Sequence, residues 1–499
     1  MNSNYIFLFI LDCVRKDHLS LYGYPRKTSL NIDKLAKQSD IYHWAFAPSS
    51  YTLASVPSIL AGKYPFELSN LFDDSEFTPE DFQNLKELKD QGYKTAMFTA
   101  NIVTSHHYTN IHKFFDYFWD NLTEQELNRK DIFFQKADKV IKAVKNFIKK
   151  NKKKKFFVVI HLMDSHGPYT TWIESIFKND HFYKKDKRRI DRVINDMLTG
   201  ANFEILKKYK IAPKYQLLNL IEGINGEIED FNSNVAEYIA KYDMGIYLQD
   251  LALKDFFNFL EVNNIFNQSK IIITADHGEL LGEDNLYFLH GSITHPVLTN
   301  VPLIIKNPNQ KKIKYIKENF NLIDLLTNKK NQIIITHPQD FSFVDDDIYV
   351  NIHNSDFSHN GAIYQNLFLT GKLNLKQLLE NYQNLNIDFK ITYFKKNNKK
   401  LIFEKIKRKI DEEIVKVLTN LFFVIKKNFP LIRKKIDFST KKKSLEKEIN
   451  NLTQSLIQKD QQIKNLTTQL EKIQSSKTYK LWQGYCRIRD KILRELRVK

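Results

Sequence analysis

Several apolar runs, each of strand length and each ending on a polar or acidic residue, constrain this chain more than any other feature. The clearest are 5–11, 94–100, 156–162, 270–275 and 301–306. Helix-period segments lie between them, for example at 81–90, 131–150 and 243–262. Strand alternating with helix predicts an α/β fold with a mostly parallel central sheet flanked by helices. Ligands in such sheets bind beyond the carboxyl ends of the strands. Asp12, Asn101, Asp164 and Asp276 each fall just after a predicted strand, so they can converge on one rim.

The 499 residues can bury a large core and divide into more than one unit. The first expected unit is 1–310, with a helical cap or lid inserted at 170–240. The second, 311–435, is a smaller α+β unit of short antiparallel strands ending in a basic helical stretch. Residues 442–475 carry Leu445, Ile449, Leu452, Leu456, Ile463, Leu466, Leu470 and Ile473 at alternating spacings of four and three, so 436–475 is expected to be a coiled coil that makes a homo-oligomer. The tail, 476–499, reads as a basic amphipathic helix suited to anionic lipid.

Formal net charge is +18, which suits an anionic partner: a membrane surface or an acidic substrate. Nucleic acid is not expected, because aromatics are not interleaved with the basic residues in a known reader pattern. The two cysteines, Cys13 and Cys486, lie far apart in the chain and predict no disulfide framework. No stretch approaches about 18 uninterrupted apolar residues, and no signal peptide precedes the first strand. The expected location is cytoplasmic, peripheral at the inner membrane face.

Chemistry concentrates in three places. Asp12 closes the first strand, and Asp276 and His277 close another. Between them Thr52 stands before an apolar helical run. Two carboxylates, an imidazole and a hydroxyl can surround one divalent cation, and that cation can activate the hydroxyl. Asp and His donors suit Mn, Mg or Zn better than Ca. Thr52 also suits a helix N-cap, a role compatible with nucleophilic attack.

The blocks in order resemble the sulfatase family of the alkaline phosphatase superfamily. Asp12, Arg15, Asp17, Tyr22-Gly23 and Asn31-Ile32-Asp33-Lys34-Leu35-Ala36 match its opening, and Gly62-Lys63-Tyr64-Pro65 matches the end of its nucleophile block. Residues 161–169 resemble its substrate-binding turn, 273–284 its second metal block, and His290-Gly291 its approach to the closing strand. The resemblance implies metal ligands at Asp12, Asp276, His277 and Thr52, with Thr52 the nucleophile. His166 would meet a phosphoryl oxygen or the leaving group, or build a second metal position with Asp164 and His290. Asn101 stands where relatives place a substrate-contacting residue. Arg15 is expected to brace its loop through Asp17.

One departure matters. Sulfatases carry a Cys or Ser that matures to formylglycine where Thr52 stands, and an Arg where Val56 stands. Threonine cannot form that aldehyde. The resemblance therefore points to the threonine branch, which includes phosphodiesterases and phosphoglycerol transferases. The expected activity is hydrolysis or transfer at phosphate esters of a lipid-linked or glycan substrate, in bacterial surface-polysaccharide or glycolipid modification. Two alternatives stand beside it: a sulfate-ester hydrolase working without formylglycine, and a non-catalytic coiled-coil scaffold.

Overall fold

The structure is a computed structural model that describes residues 3–69, 76–120, 135–152, 154–167, 169, 175–177, 235–283, 286–291 and 295–327, and five further strands between 334 and 406. The strands of the first region are β1 (Tyr5–Leu11), β2 (Asp40–Phe46), β3 (Lys94–Thr99), β4 (Tyr117–Trp119), β5 (Phe156–Leu162), β6 (Ser269–Thr274), β7 (Leu280–Leu281), β8 (Tyr287–Leu289), β9 (Asn300–Lys306) and β10 (Lys314–Asn321). Eight of them form one sheet in the order β10-β2-β9-β6-β1-β5-β3-β4. Only β9 runs against its neighbours, antiparallel to β2 and β6. β1 is central and pairs in parallel with β5 and β6. Its residues Ile6 to Leu11 are fully buried, as a strand covered on both faces requires.

Helices α1 (Leu30–Ala36), α2 (Thr52–Ala61), α3 (Gln83–Asp90), α4 (Ala137–Asn151) and α5 (Val235–Val262) accompany the sheet. On α4 the buried residues Val140, Ile141, Val144, Phe147 and Ile148 recur at helical spacing, and Lys139, Lys142, Lys145, Lys149 and Lys150 flank or separate them. From α5, Phe256 meets Phe7 and Phe9 edge-on at 5.0 and 5.2 Å. Such contacts add about 0.5–1.5 kcal/mol each beyond burial alone.

Three departures from the sequence expectation are instructive. β2 was not foreseen; His43 and Trp44 interrupt its apolar run, yet it pairs with both β9 and β10. The first unit does not close at 310, because β10 extends the main sheet by pairing in parallel with β2. The smaller antiparallel sheet begins later, as β11 (Ile334–Thr336), β12 (Asp347–His359), β13 (Ala362–Asn374), β14 (Phe389–Lys395) and β15 (Glu404–Ile406) in sequential order. Most of the 170–240 insertion, the basic stretch at 406–435, the coiled coil at 436–475 and the tail at 476–499 lie outside the described residues. No helix among the described residues is long and apolar enough to cross a membrane.

Candidate metal-dependent active site

The carboxyl ends of β1, β5 and β6, with the start of α2, bring the functional side chains together. Asp12 follows β1 directly, and its backbone N–H donates to Leu162 O at 2.8 Å. This single bond extends the β1–β5 ladder by one rung and points the Asp12 carboxylate out of the sheet edge. Cys13 then turns into the left-handed region at φ 59°, which its short side chain tolerates, and donates its N–H to Asp276 Oδ1 at 3.3 Å. The phenol of Tyr242, on α5, donates to Cys13 O at 2.8 Å and accepts from Arg15 N at 2.9 Å. Arg15 closes the loop on Asp17, with bonds of 2.9 and 2.7 Å, and reaches Glu283 at 2.8 Å, so it braces the turn.

Thr52 opens α2, which is buried almost along its whole length and ends on Gly62 at φ 68°. A Cβ at Gly62 would sit 2.5 Å from Thr327 Cγ2 and 2.6 Å from Asn84 Nδ2, so only glycine fits this stop. Thr52 Oγ1 lies 3.1 Å from His277 Nε2. His277 Nδ1 lies 2.9 Å from Gly278 O, which places the ring proton on Nδ1 and leaves Nε2 to accept. Gly278 is obligatory behind it, because an added Cβ would stand 2.1 Å from Val297 O. Burial pushes the His277 pKa down, against the pull of Asp276 and Asp12, which favours the neutral ring a metal ligand requires.

From Thr52 the polar contacts run as a chain. His277 Nε2 is 3.5 Å from Asp276 Oδ2, Asp276 Oδ2 is 4.0 Å from His161 Nε2, and His161 Nε2 is 3.1 Å from Asp12 Oδ2. Asn101 donates its amide to Asp12 Oδ2 at 2.6 Å. Asp12, His161, Asp276 and His277 are all fully buried. Yet Asp12 Oδ1 and Asp276 Oδ2 have no hydrogen-bond partner among the described residues, and His161 Nε2 approaches Asp12 Oδ2 without hydrogen-bond geometry. Leaving one buried polar atom unsatisfied costs about 1–3 kcal/mol, more for a charged group. Burial alone would raise the Asp12 pKa, but the imidazoles of His161, His166 and His277 hold it well below the usual carboxylate range. Ligand atoms of Asp12, His161 and Asp276 lie within 4.8 Å of one another. Orphaned oxygens facing an imidazole nitrogen at this spacing fit a divalent cation of the Mn, Zn or Mg kind. Asp12, Asp276 and His277, with Thr52 beside them, are the expected set; His161 is an addition.

The remaining expected residues divide. His290 stacks on His277, with centroids 4.6 Å apart, and meets His166 edge-on at 5.1 Å, so both lie beside the cluster. His166 joins Asp12 and Cys13 in a second group of closely spaced donors. Asn101 is at the site, but its amide serves Asp12. Asp164 is not brought in: its carboxylate accepts the Ala137 N–H at 3.1 and 3.3 Å and so caps α4. A carboxylate at a helix N-terminus satisfies an orphan donor and the helix dipole together, and the polar end of a strand supplies caps as readily as ligands. Desolvation pushes Asp164 up to about 7. Cys13 lies 3.7 and 3.8 Å from the Nδ1 atoms of His277 and His290; burial, reinforced by Asp12, Glu279 and Asp276, drives its pKa up and keeps it a thiol.

Two residues escaped sequence reasoning. His161 is the penultimate residue of an otherwise apolar strand, and a lone polar residue in FFVVIHL was its signal. Glu279 is 1% exposed and holds His290, and only its place two residues beyond His277 marks it.

With this geometry established, the comparisons agree on the class. The sulfatase family profile matches residues 4–328, more than half of the chain, so the protein belongs to the sulfatase family, within the alkaline phosphatase superfamily. A 2-O GAG sulfatase superposes with TM-score 0.52 at 12% identity, covering 92% of this chain and 93% of that one. A putative sulfatase from Bacteroides thetaiotaomicron gives 0.51 at 14%, covering 87% and 93%. The periplasmic domain of phosphoethanolamine transferase EptC from Campylobacter jejuni gives 0.42 at 17%, covering 65% and 87%. No curated protein matches the chain. Sulfatase-family proteins are enzymes that act on sulfate and phosphate esters, and members of the family use metal ions.

Proposed function

We propose that this enzyme transfers a phosphoryl group from a phosphate diester, with Thr52 as nucleophile. The observation that carries this reading is Thr52 Oγ1 at the start of α2, 3.1 Å from His277 Nε2 and beside two buried carboxylates with unsatisfied oxygens. Threonine excludes the formylglycine route to sulfate esters, which removes the main chemical reason to prefer sulfur. Asp12, Asp276, His277 and Thr52 would hold the cation, with His161 adjoining. When bound, such a cation lowers the pKa of a hydroxyl and offsets charge on non-bridging oxygens.

Thr52 Oγ1 attacks phosphorus and gives up its proton, one ester oxygen takes up a proton and leaves as an alcohol, and a threonine phosphodiester that keeps the other ester substituent remains. Water or an acceptor hydroxyl then takes this substituted phosphoryl group and restores the Thr52 hydroxyl. Thr52 is the first residue of α2, and the positive end of the helix dipole there favours a phosphate. His166 and His290 supply imidazoles for the non-bridging and leaving oxygens. Asn101 fixes one oxygen of Asp12 and so turns the other toward the cation position. The basic balance of the chain, +18 overall, suits a substrate embedded in an anionic layer, such as a lipid-linked glycan precursor at the cytoplasmic membrane face.

Intact-mass spectrometry after incubation with Mn and bis(4-nitrophenyl) phosphate tests this. A covalent phosphoryl adduct in the native chain, absent in Thr52→Ala, is the expected result. Turnover of 4-nitrophenyl sulfate with none of the phosphodiester would sink the reading, as would unchanged turnover in Thr52→Ala.

A further inference from the structure

Glu279 is buried in the same block as His277, and its side chain meets His290 and Tyr169. Its two carboxylate oxygens lie 3.2 and 3.3 Å from His290 Nδ1. Tyr169 donates its hydroxyl to Glu279 Oε2 at 3.0 Å, and Arg15 Nη1 donates to the Glu279 carbonyl at 3.1 Å. The glutamate is therefore held at both its backbone and its side chain, by residues from three separate blocks of the chain. A buried carboxylate is expensive unless partnered, and here the partners are an imidazole and a phenol. The ring it grips is 13% exposed, stacked on one cation ligand and edge-on to His166.

We propose that Glu279 is a positioning residue: by accepting the Nδ1 proton of His290 it fixes the tautomer and plane of that ring, so that Nε2 carries the lone pair or proton exchanged with the substrate ester. A carboxylate behind a histidine performs this service in hydrolytic triads and at metal ligands, where its loss typically costs about 10–100-fold. Tyr169 locks the carboxylate in turn, which explains a phenol buried against an acid. The role of Glu279 rests on the phosphoryl-transfer reading only for what His290 contacts, not for the dyad itself.

Two measurements on the full chain with Mg separate these layers. In histidine-labelled protein, long-range proton–nitrogen correlation spectra, with His290 assigned by its loss in His290→Gln, should show a ring protonated at Nδ1. Glu279→Gln should keep that pattern, because its amide oxygen accepts the same proton, whereas Glu279→Leu should average it between tautomers. An unchanged His290 pattern in Glu279→Leu overturns the proposal, whether or not any substrate has been found. With bis(4-nitrophenyl) phosphate, Glu279→Leu should lose about 10–100-fold in kcat with little change in KM. Glu279→Gln should recover most of that loss. The double variant with His290→Gln should be no slower than His290→Gln alone. Multiplying losses would also overturn the assignment. Failure of the native chain to cleave the diester would count against the phosphoryl-transfer reading and leave the spectra to decide the dyad.

Discussion

Two fully buried charge clusters sit near the amino-terminal loop, and they are built on opposite principles. Around Asp243 on α5, one carboxylate is met by three partners: His18 Nδ1 at 2.7 Å, Tyr24 OH at 2.6 Å and Arg26 Nη1 at 2.7 Å. Around Asp12 and Asp276, two carboxylates share one rim and each keeps an oxygen with no hydrogen-bond partner among the described residues. The first cluster is closed and ties the loop after β1 to α5. The second is open and stable only if something completes it. Burial and charge alone do not distinguish structure from function; saturation of the hydrogen bonds does.

Four perturbations would break or sharpen that contrast. The largest effect is expected at Thr52, the proposed nucleophile, which reaches the open cluster through His277. Thr52→Ala should reduce kcat by on the order of 10⁴-fold or more while leaving the melting curve nearly unchanged. Comparable losses in both activity and melting temperature would make Thr52 a structural cap. Next, Asp243→Asn should destabilise the chain by about 3–5 kcal/mol in denaturant titration, because it strands a buried guanidinium. A loss under 1 kcal/mol would erase the distinction drawn here.

Third, adding Mn, Zn or Mg to chelator-treated protein should raise stability by about 2.7 kcal/mol at 100 times the dissociation constant, and Asp276→Asn should abolish the gain. No metal-dependent shift in the native chain would show that the open cluster needs no cation. Smallest, Asp12→Asn should cost the metal-free protein about 1 kcal/mol, since it removes the attraction of the neighbouring imidazoles but preserves an acceptor for Asn101. The same variant should lose more relative to native once metal is supplied. A loss as large without metal as with it would place Asp12 with the closed cluster.

How much of this could be read from the letters depends on the kind of signal. The strands at 5–11, 94–100, 156–162, 270–275 and 301–306 are visible because their apolar runs are continuous, as burial on both faces demands. β2 is hidden because Tyr42, His43 and Trp44 blur its period, and its place is set by pairing with β9 and β10. At the site, Asp12, Asp276 and His277 are legible because each stands at the end of an apolar strand within an ordered block of the sequence. Asp164 satisfies the same rule and is a helix cap, so the rule finds the rim without telling a ligand from a cap. His161 is missed because it lies inside its strand, one residue before the end. Glu279 is missed because its role exists only through His290 and Tyr169, which no spacing in the chain connects.

The single hydroxyl of Tyr242 has a consequence for how this loop could change over time. It accepts the N–H of Arg15 and donates its own hydrogen to the carbonyl of Cys13, so a side chain stands in for the neighbouring strand that this stretch lacks. Main-chain satisfaction at that corner is thereby supplied from α5, a helix more than two hundred residues further along the chain. The aim of the carboxylate just before the corner is tied to where that helix packs.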